Sequence, residues 1–231
     1  MLRMLKALPL TVALVALATV ATNCGTDHAQ VRFVHASPDA VNMDVAVDGK
    51  TVVTDLAFGG VSPASDYLTL TAGNRRVEVR DTGTTSDRIN STVSFGSGKA
   101  YTVIASGLLA DIAAVVLTDD HSAPQSGQVK LRVVHAAPDG PANLDVYIVA
   151  PGTVITGMSP TISSLAYGQA SSYQSVAPAS NEVIITTAGN QTRLIDQTYT
   201  LAAGQIRTLV TRDVLNGGAM SDTPIELSDL N

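Results

Sequence analysis

The chain has 231 residues, of which 45% are hydrophobic, 15% charged and 4% aromatic, with no Trp and a single Cys. Its 14 Lys and Arg stand against 20 Asp and Glu, a formal charge of −6. These figures exclude a disordered chain, which carries more charge and less apolar content, a typical nucleic-acid binder, which is basic, and a disulfide-stapled scaffold, which needs paired cysteines.

The first predicted element is an address. Arg3 and Lys6 form a short positive segment, and Ala7 to Ala21 is uncharged and rich in Leu, Val and Ala. Such a run is shorter than the ~20 residues a membrane-spanning helix needs and fits the apolar region of a secretory signal. Cys24 follows directly. The arrangement resembles a bacterial lipoprotein signal, in which the mature chain begins with a lipidated Cys. Asn23 stands where that pattern has a small residue. The expectation is a signal peptide over 1–23, lipid attachment at Cys24 and a polar tether over 24–29, with the membrane as a partner through the lipid. The alternative is cleavage after Ala21 and release as a soluble secreted protein. Both place the remainder outside the cytoplasm. Removal of 1–23 takes Arg3 and Lys6 with it and leaves a formal charge of −8, a surface that does not attract nucleic-acid phosphates.

Two copies of one unit follow. Val31-Arg32-Phe33-Val34-His35-Ala36-Ser37-Pro38-Asp39-Ala40 returns as Leu131-Arg132-Val133-Val134-His135-Ala136-Ala137-Pro138-Asp139-Gly140. Asn42-Met43-Asp44-Val45 returns as Asn143-Leu144-Asp145-Val146, Leu56-Ala57-Phe58-Gly59 as Leu165-Ala166-Tyr167-Gly168, and Tyr67 as Tyr173. The spacing predicts duplication of a whole domain, with units over 30–118 and 129–231. A polar linker over 119–128 joins them, containing Pro124 and Gly127.

Alternation within the first unit predicts strands. Met43, Val45 and Val47 oppose Asp44, Ala46 and Asp48, and Asp48-Gly49 is a two-residue hairpin signal. Leu68/Leu70, Val77/Val79 and Ile89/Val93/Phe95 alternate in the same way. Tyr101 to Ala105 and Ile112 to Leu117 are nearly continuous apolar runs, as in central strands. In the second unit, strands are predicted over 129–136, 145–150, 172–176, 182–187, 205–212 and 224–228. The fold class is therefore all-β: two tandem immunoglobulin-like antiparallel β-sandwiches of about seven strands each.

The sequence His35-Ala36-Ser37-Pro38-Asp39-Ala40, with its second copy from His135, resembles a bacterial family of domains of unknown function, family 4397. Residues 31–48 and 131–149 carry the pattern, and fainter likeness runs over both units. Val41 stands where the family has Pro, which Pro141 restores, and Ala46 stands where Tyr147 keeps the family's Tyr. The resemblance implies a secreted or surface-attached β-sandwich, often in tandem, and assigns no catalytic residues.

Read from the residues, Ser37-Pro38-Asp39 is a tight turn, with His35 and the Asp side chains bonding backbone groups. The functional reading makes His35, Asp39 and Asp44, mirrored by His135, Asp139 and Asp145, a ligand or metal set of one imidazole and two carboxylates. Nucleophile elbows and zinc-protease signatures are missing from the sequence. His28 and His121 read as solvated, Asp119-Asp120 as a solvated acidic pair, and Phe58 and Tyr167 as packing residues. The leading function is a non-enzymatic lipoprotein of the cell envelope, a binding or structural module without metal or cofactor. Its expected partner is an envelope protein or a glycan, not nucleic acid. A carbohydrate-binding surface module and a metal-dependent hydrolase using the repeated His/Asp motif are the alternatives.

Overall fold

The computed structural model describes residues 27–229. The signal segment and Cys24 therefore lie outside the described residues. Among those described, the chain is strands and turns with one short 3-10 turn, Leu109–Asp111. The first half holds β1 (His28–His35), β2 (Met43–Val47), β3 (Lys50–Leu56), β4 (Val61–Ser62), β5 (Leu68–Thr71), β6 (Gly73–Asp81), β7 (Asp87–Phe95), β8 (Ala100–Ser106) and β9 (Ala113–Asp119). The second half holds β10 (Val129–His135), β11 (Asn143–Val149), β12 (Ile162–Ala166), β13 (Gln174–Val176), β14 (Ser180–Thr187), β15 (Arg193–Thr200), β16 (Ile206–Thr211) and β17 (Ile225–Ser228).

The all-β class and the sandwich arrangement match the expectation. The strand count does not: the halves hold nine and eight strands. The sheets are also not purely antiparallel. In each half the opening strand runs parallel to a late one, β1 with β8 and β10 with β16. The first half pairs an inner sheet, β4-β1-β8-β9 with β5 continuing along β1, against an outer sheet, β3-β2-β6-β7. The second half repeats this order, with β13-β10-β16-β17 inside and β12-β11-β14-β15 outside. Asp48 and Gly49 close the β2–β3 hairpin with positive φ at both, 51° and 79°, as a tight hairpin turn requires.

Three apolar layers hold four sheets together. Val31 and Phe33 of β1, with Tyr101 and Val103 of β8, pack onto Met43, Val45, Val77 and Val79 of the outer sheet. Leu131, Val133 and Leu209 do the same against Leu144, Val146, Val183 and Ile185. The opposite faces of the two inner sheets then pack on each other through Val34, Ala36, Ile104 and Leu117 against Val134, Ala136, Val210, Ile225 and Leu227. An inner strand is thus covered on both faces, so β8 reads as a nearly continuous apolar run rather than an alternating one. The same layer explains β9. The run Ile112 to Leu117 looks central in sequence, yet β9 pairs only with β8, at the sheet edge. Its Leu117 and Val115 serve the layer between the halves.

That layer also corrects the linker. Asp119 is the last residue of β9 and is buried; the connecting segment starts at Asp120. Lys130 reaches back to the Asp120 carboxylate at 2.6 Å, and this contact holds the Asp120 pKa down at about 2. His28 begins β1, paired with Thr71. His121 packs edge-on to Tyr67, with ring centroids 5.1 Å apart, and is half-buried rather than freely solvated.

Candidate functional site

The repeated motif ends β1 and β10. Both imidazoles are fully buried. His35 Nε2 lies 3.1 Å from the Val41 carbonyl, and its Nδ1 accepts the Ser37 N–H at 3.3 Å. His135 Nε2 lies 2.7 Å from the Pro141 carbonyl, and its Nδ1 lies 3.3 Å from the Thr211 hydroxyl. Each ring therefore ties a strand end to a carbonyl beyond the turn, with the proton on Nε2. Burial lowers both pKa values, which keeps the rings neutral. Phe58 and Tyr167 stand edge-on against them at 5.9 Å and 5.6 Å.

The carboxylates of the motif face other groups. Asp39 accepts the Leu109 N–H at 2.8 Å, and Asp139 accepts the Gly218 N–H at 2.6 Å. Each thus holds the connection that follows β8 or β16. Asp44 accepts the N–H groups of Asp55 and Gly83 at 2.8 Å and 3.1 Å, and the Thr82 hydroxyl. These bonds hold its pKa below the ordinary carboxylate value. Asp145 accepts the N–H groups of Ser164 and Gly189, both at 2.8 Å. Asp55 and Ser164 adopt positive φ, 56° and 50°, at irregular points of the ladders to β2 and β11. Asp44 and Asp145 thus pin a bulge on one neighbour and a turn on the other. The structure does not gather His35, Asp39 and Asp44 around one point, nor their second copies. Among the described residues no group of three or more His, Cys, Asp or Glu could hold a metal ion.

The densest polar constellation is one the sequence reading did not single out. Alternation along β1 turns Arg32 away from the Val31/Phe33 face and into the layer between the halves; Arg132 does the same on β10. Arg32 bonds the Asp229 carboxylate, the Ser228 carbonyl at 2.7 Å and the Thr102 hydroxyl at 2.8 Å. Arg132 bonds Asp119 at 2.5 Å, the Thr118 carbonyl at 3.1 Å and the Thr208 hydroxyl at 3.0 Å. Each half thus supplies the carboxylate for the other half's cation. Tyr67 and Tyr173 donate to Asp119 and Asp229 at 2.8 Å and 2.9 Å. Their rings lie 4.8 Å and 4.6 Å from the guanidinium carbons of Arg32 and Arg132. Burial and the nearby carboxylates push both phenols well above their ordinary pKa. The available signal was an Arg at the same place in both apolar opening strands, with an Asp at the end of both closing ones.

A family model described as "Domain of unknown function (DUF4397)" matches residues 29–147. No curated protein matches the chain. Among solved structures, the chain is similar to the C-terminal domain of AlgF from P. aeruginosa, at 15% identity over 45% of this chain and 98% of that one, with a TM-score of 0.30. It is similar to CBMbc, a family CBM26 module of Eubacterium rectale Amy13K solved with maltoheptaose, at 12% identity over 84% and 95% and a TM-score of 0.27. A putative cell adhesion protein from Bacteroides fragilis NCTC 9343 matches at 11% identity over 83% and 95%, with a TM-score of 0.21. At such values these likenesses say nothing about function.

Proposed function

The chain belongs to the DUF4397 family of domains of unknown function, and from that premise we propose that it is a non-enzymatic, lipid-anchored cell-envelope protein that works as a binding module. The observation that carries this reading is that the motif's reactive side chains are all engaged with backbone groups, so the motif works as a clasp for loops. Those loops lie together at one end of the stack. Asn216 N–H of the second half reaches the Pro38 carbonyl of the first at 2.9 Å. Val41, Leu215 and Val214 are exposed there at 61%, 60% and 41%. The N-terminal chain enters β1 at His28, the opposite end of that strand. An anchor at Cys24 then holds the molecule by one end and presents the loop end outward, where scaffolded loops make contacts.

The anchor is tested by feeding radiolabelled palmitate to cells that express the full chain. Wild type takes up label and sediments with membranes; Cys24→Ala does neither. Equal labelling of both overturns the anchored reading and leaves a freely secreted protein.

A further inference from the structure

Asp213 lies two residues beyond the end of β16 and is fully buried. One carboxyl oxygen accepts the Asp139 N–H at 2.8 Å. The other has no hydrogen-bond partner among the described residues. A buried carboxylate with an orphan oxygen is costly when charged and much less so when protonated. The matching position of the first half is Gly107: His35 pairs with Ala105 and His135 with Thr211, and Gly107 and Asp213 each lie two residues further on, but Gly107 has φ of 105° and no side chain. The carboxyl is therefore particular to the second half and is not required by the common framework.

Asp213 also stands at the base of a loop that joins the halves. It pairs with Met220 across the loop neck, and Val214 N–H bonds the Ala219 carbonyl at 2.9 Å. Asn216 at the tip donates to the Pro38 carbonyl of the first half, and Gly218 donates to Asp139. We propose that Asp213 is a proton-operated catch: uncharged, it keeps the 213–220 loop closed across the motif turns of both halves, and ionised, it frees the loop and uncovers the Pro38–Asp39 turn.

The surroundings fit this role. Burial, and then the Asp139 charge, push the Asp213 carboxyl up to about 6. The neighbouring Arg212 guanidinium lies 5.1 Å from the Phe58 ring centroid. Asp222, in the returning segment, bonds the Thr223 hydroxyl. Asp39 of the first half is tied to Leu109. His135, reached through Thr211, is kept neutral by burial. A carboxyl raised in the folded state favours folding when protonated. That contribution is complete below the ordinary value near 4 and is lost as pH rises through about 6. The two buried histidines act in the opposite sense, losing stability as pH falls below about 6.5. The comparison with Asp213→Asn isolates the catch from them.

The test uses the chain from residue 25 to 231, with carbon-13 carboxyl NMR and amide exchange from pH 5 to 7.5. The Asp213 carboxyl is expected to titrate with a midpoint near 6. Protection of the Asn216 and Gly218 amides, corrected for intrinsic exchange, should fall several-fold across that range, with roughly tenfold as the limit that a midpoint near 6 allows above pH 5. In Asp213→Asn this fall with rising pH should be absent, leaving only the opposite dependence that the histidines impose. A midpoint below about 4.5, or equal protection in wild type at both pH values, overturns the proposal. The wild-type titration decides the matter even where the Asn variant fails to fold.

Discussion

A buried guanidinium keeps its charge whatever surrounds it, so its partners decide whether the fold tolerates it. Arg32 and Arg132 are each 2–3% exposed, and each meets a carboxylate that the other half supplies. Arg32 also lies 3.7 Å from Asp119, which links the two pairs into one network. Removing one member strands a charge in an apolar layer. Arg32→Ala is expected to cost about 3–5 kcal/mol, and Asp229→Ala a similar amount. The double variant should cost clearly less than the sum, because it removes both charges. Urea unfolding of the four chains gives the cycle, and strict additivity would show that the pair is not coupled. This network was the least legible part of the sequence. Both Arg residues lie in the repeated opening strand, yet their partners are 197 and 13 positions away. Asp119 read as a solvated linker residue because nothing near it in sequence reveals the second sheet that covers it. The motif was legible as a turn, since His35 and Asp39 find partners within their own half.

Strands were readable where one face meets a core and the other does not. Met43 to Val47, Val77 to Val79 and Ile89 to Phe95 alternate because they belong to outer sheets. Two strands of the second half gave no clear pattern. In β12, Ser164 with positive φ interrupts the alternation. In β15, Ile195 is the one fully buried residue, so its period is faint. Both are held from outside their own sequence, β12 through the Asp145 carboxylate. The first half uses Asp44 in the same way. Asp44→Ala removes the acceptor of two N–H groups and a hydroxyl. Because the site is open to solvent, the expected loss is modest, about 1–2 kcal/mol. It should come with faster amide exchange at Asp55 and Gly83. Unchanged exchange at both would show that the bulge and turn hold without the carboxylate.

The duplicated sequence suggests two domains with a linker and a fixed or weakly hinged contact. The structure is a single stack of four sheets, with the inner pair sharing an apolar layer and a buried charge network. Separating the halves exposes Val34, Ile104, Val134, Val210 and Leu227, each contributing roughly 1.5–3 kcal/mol when buried. It also unpairs two cations. The cost is comparable to the whole stability of an ordinary domain, ~5–15 kcal/mol. The two halves should therefore unfold together in one calorimetric transition whose van't Hoff and calorimetric enthalpies agree. Two resolved transitions would show that the halves are thermodynamically independent.

The parallel pairing of β1 with β8 gives the molecule a mechanical character. The chain enters β1 at His28, and six consecutive register pairs, Gln30 with Ala100 through His35 with Ala105, join the two strands. A pull on the entering chain runs along the strand axis, while these bonds lie across it. The load falls on all the rungs at once, in shear, and cannot open them one after another as it would in a hairpin peeled from its end. The stack is thus built to resist tension applied where the chain enters β1.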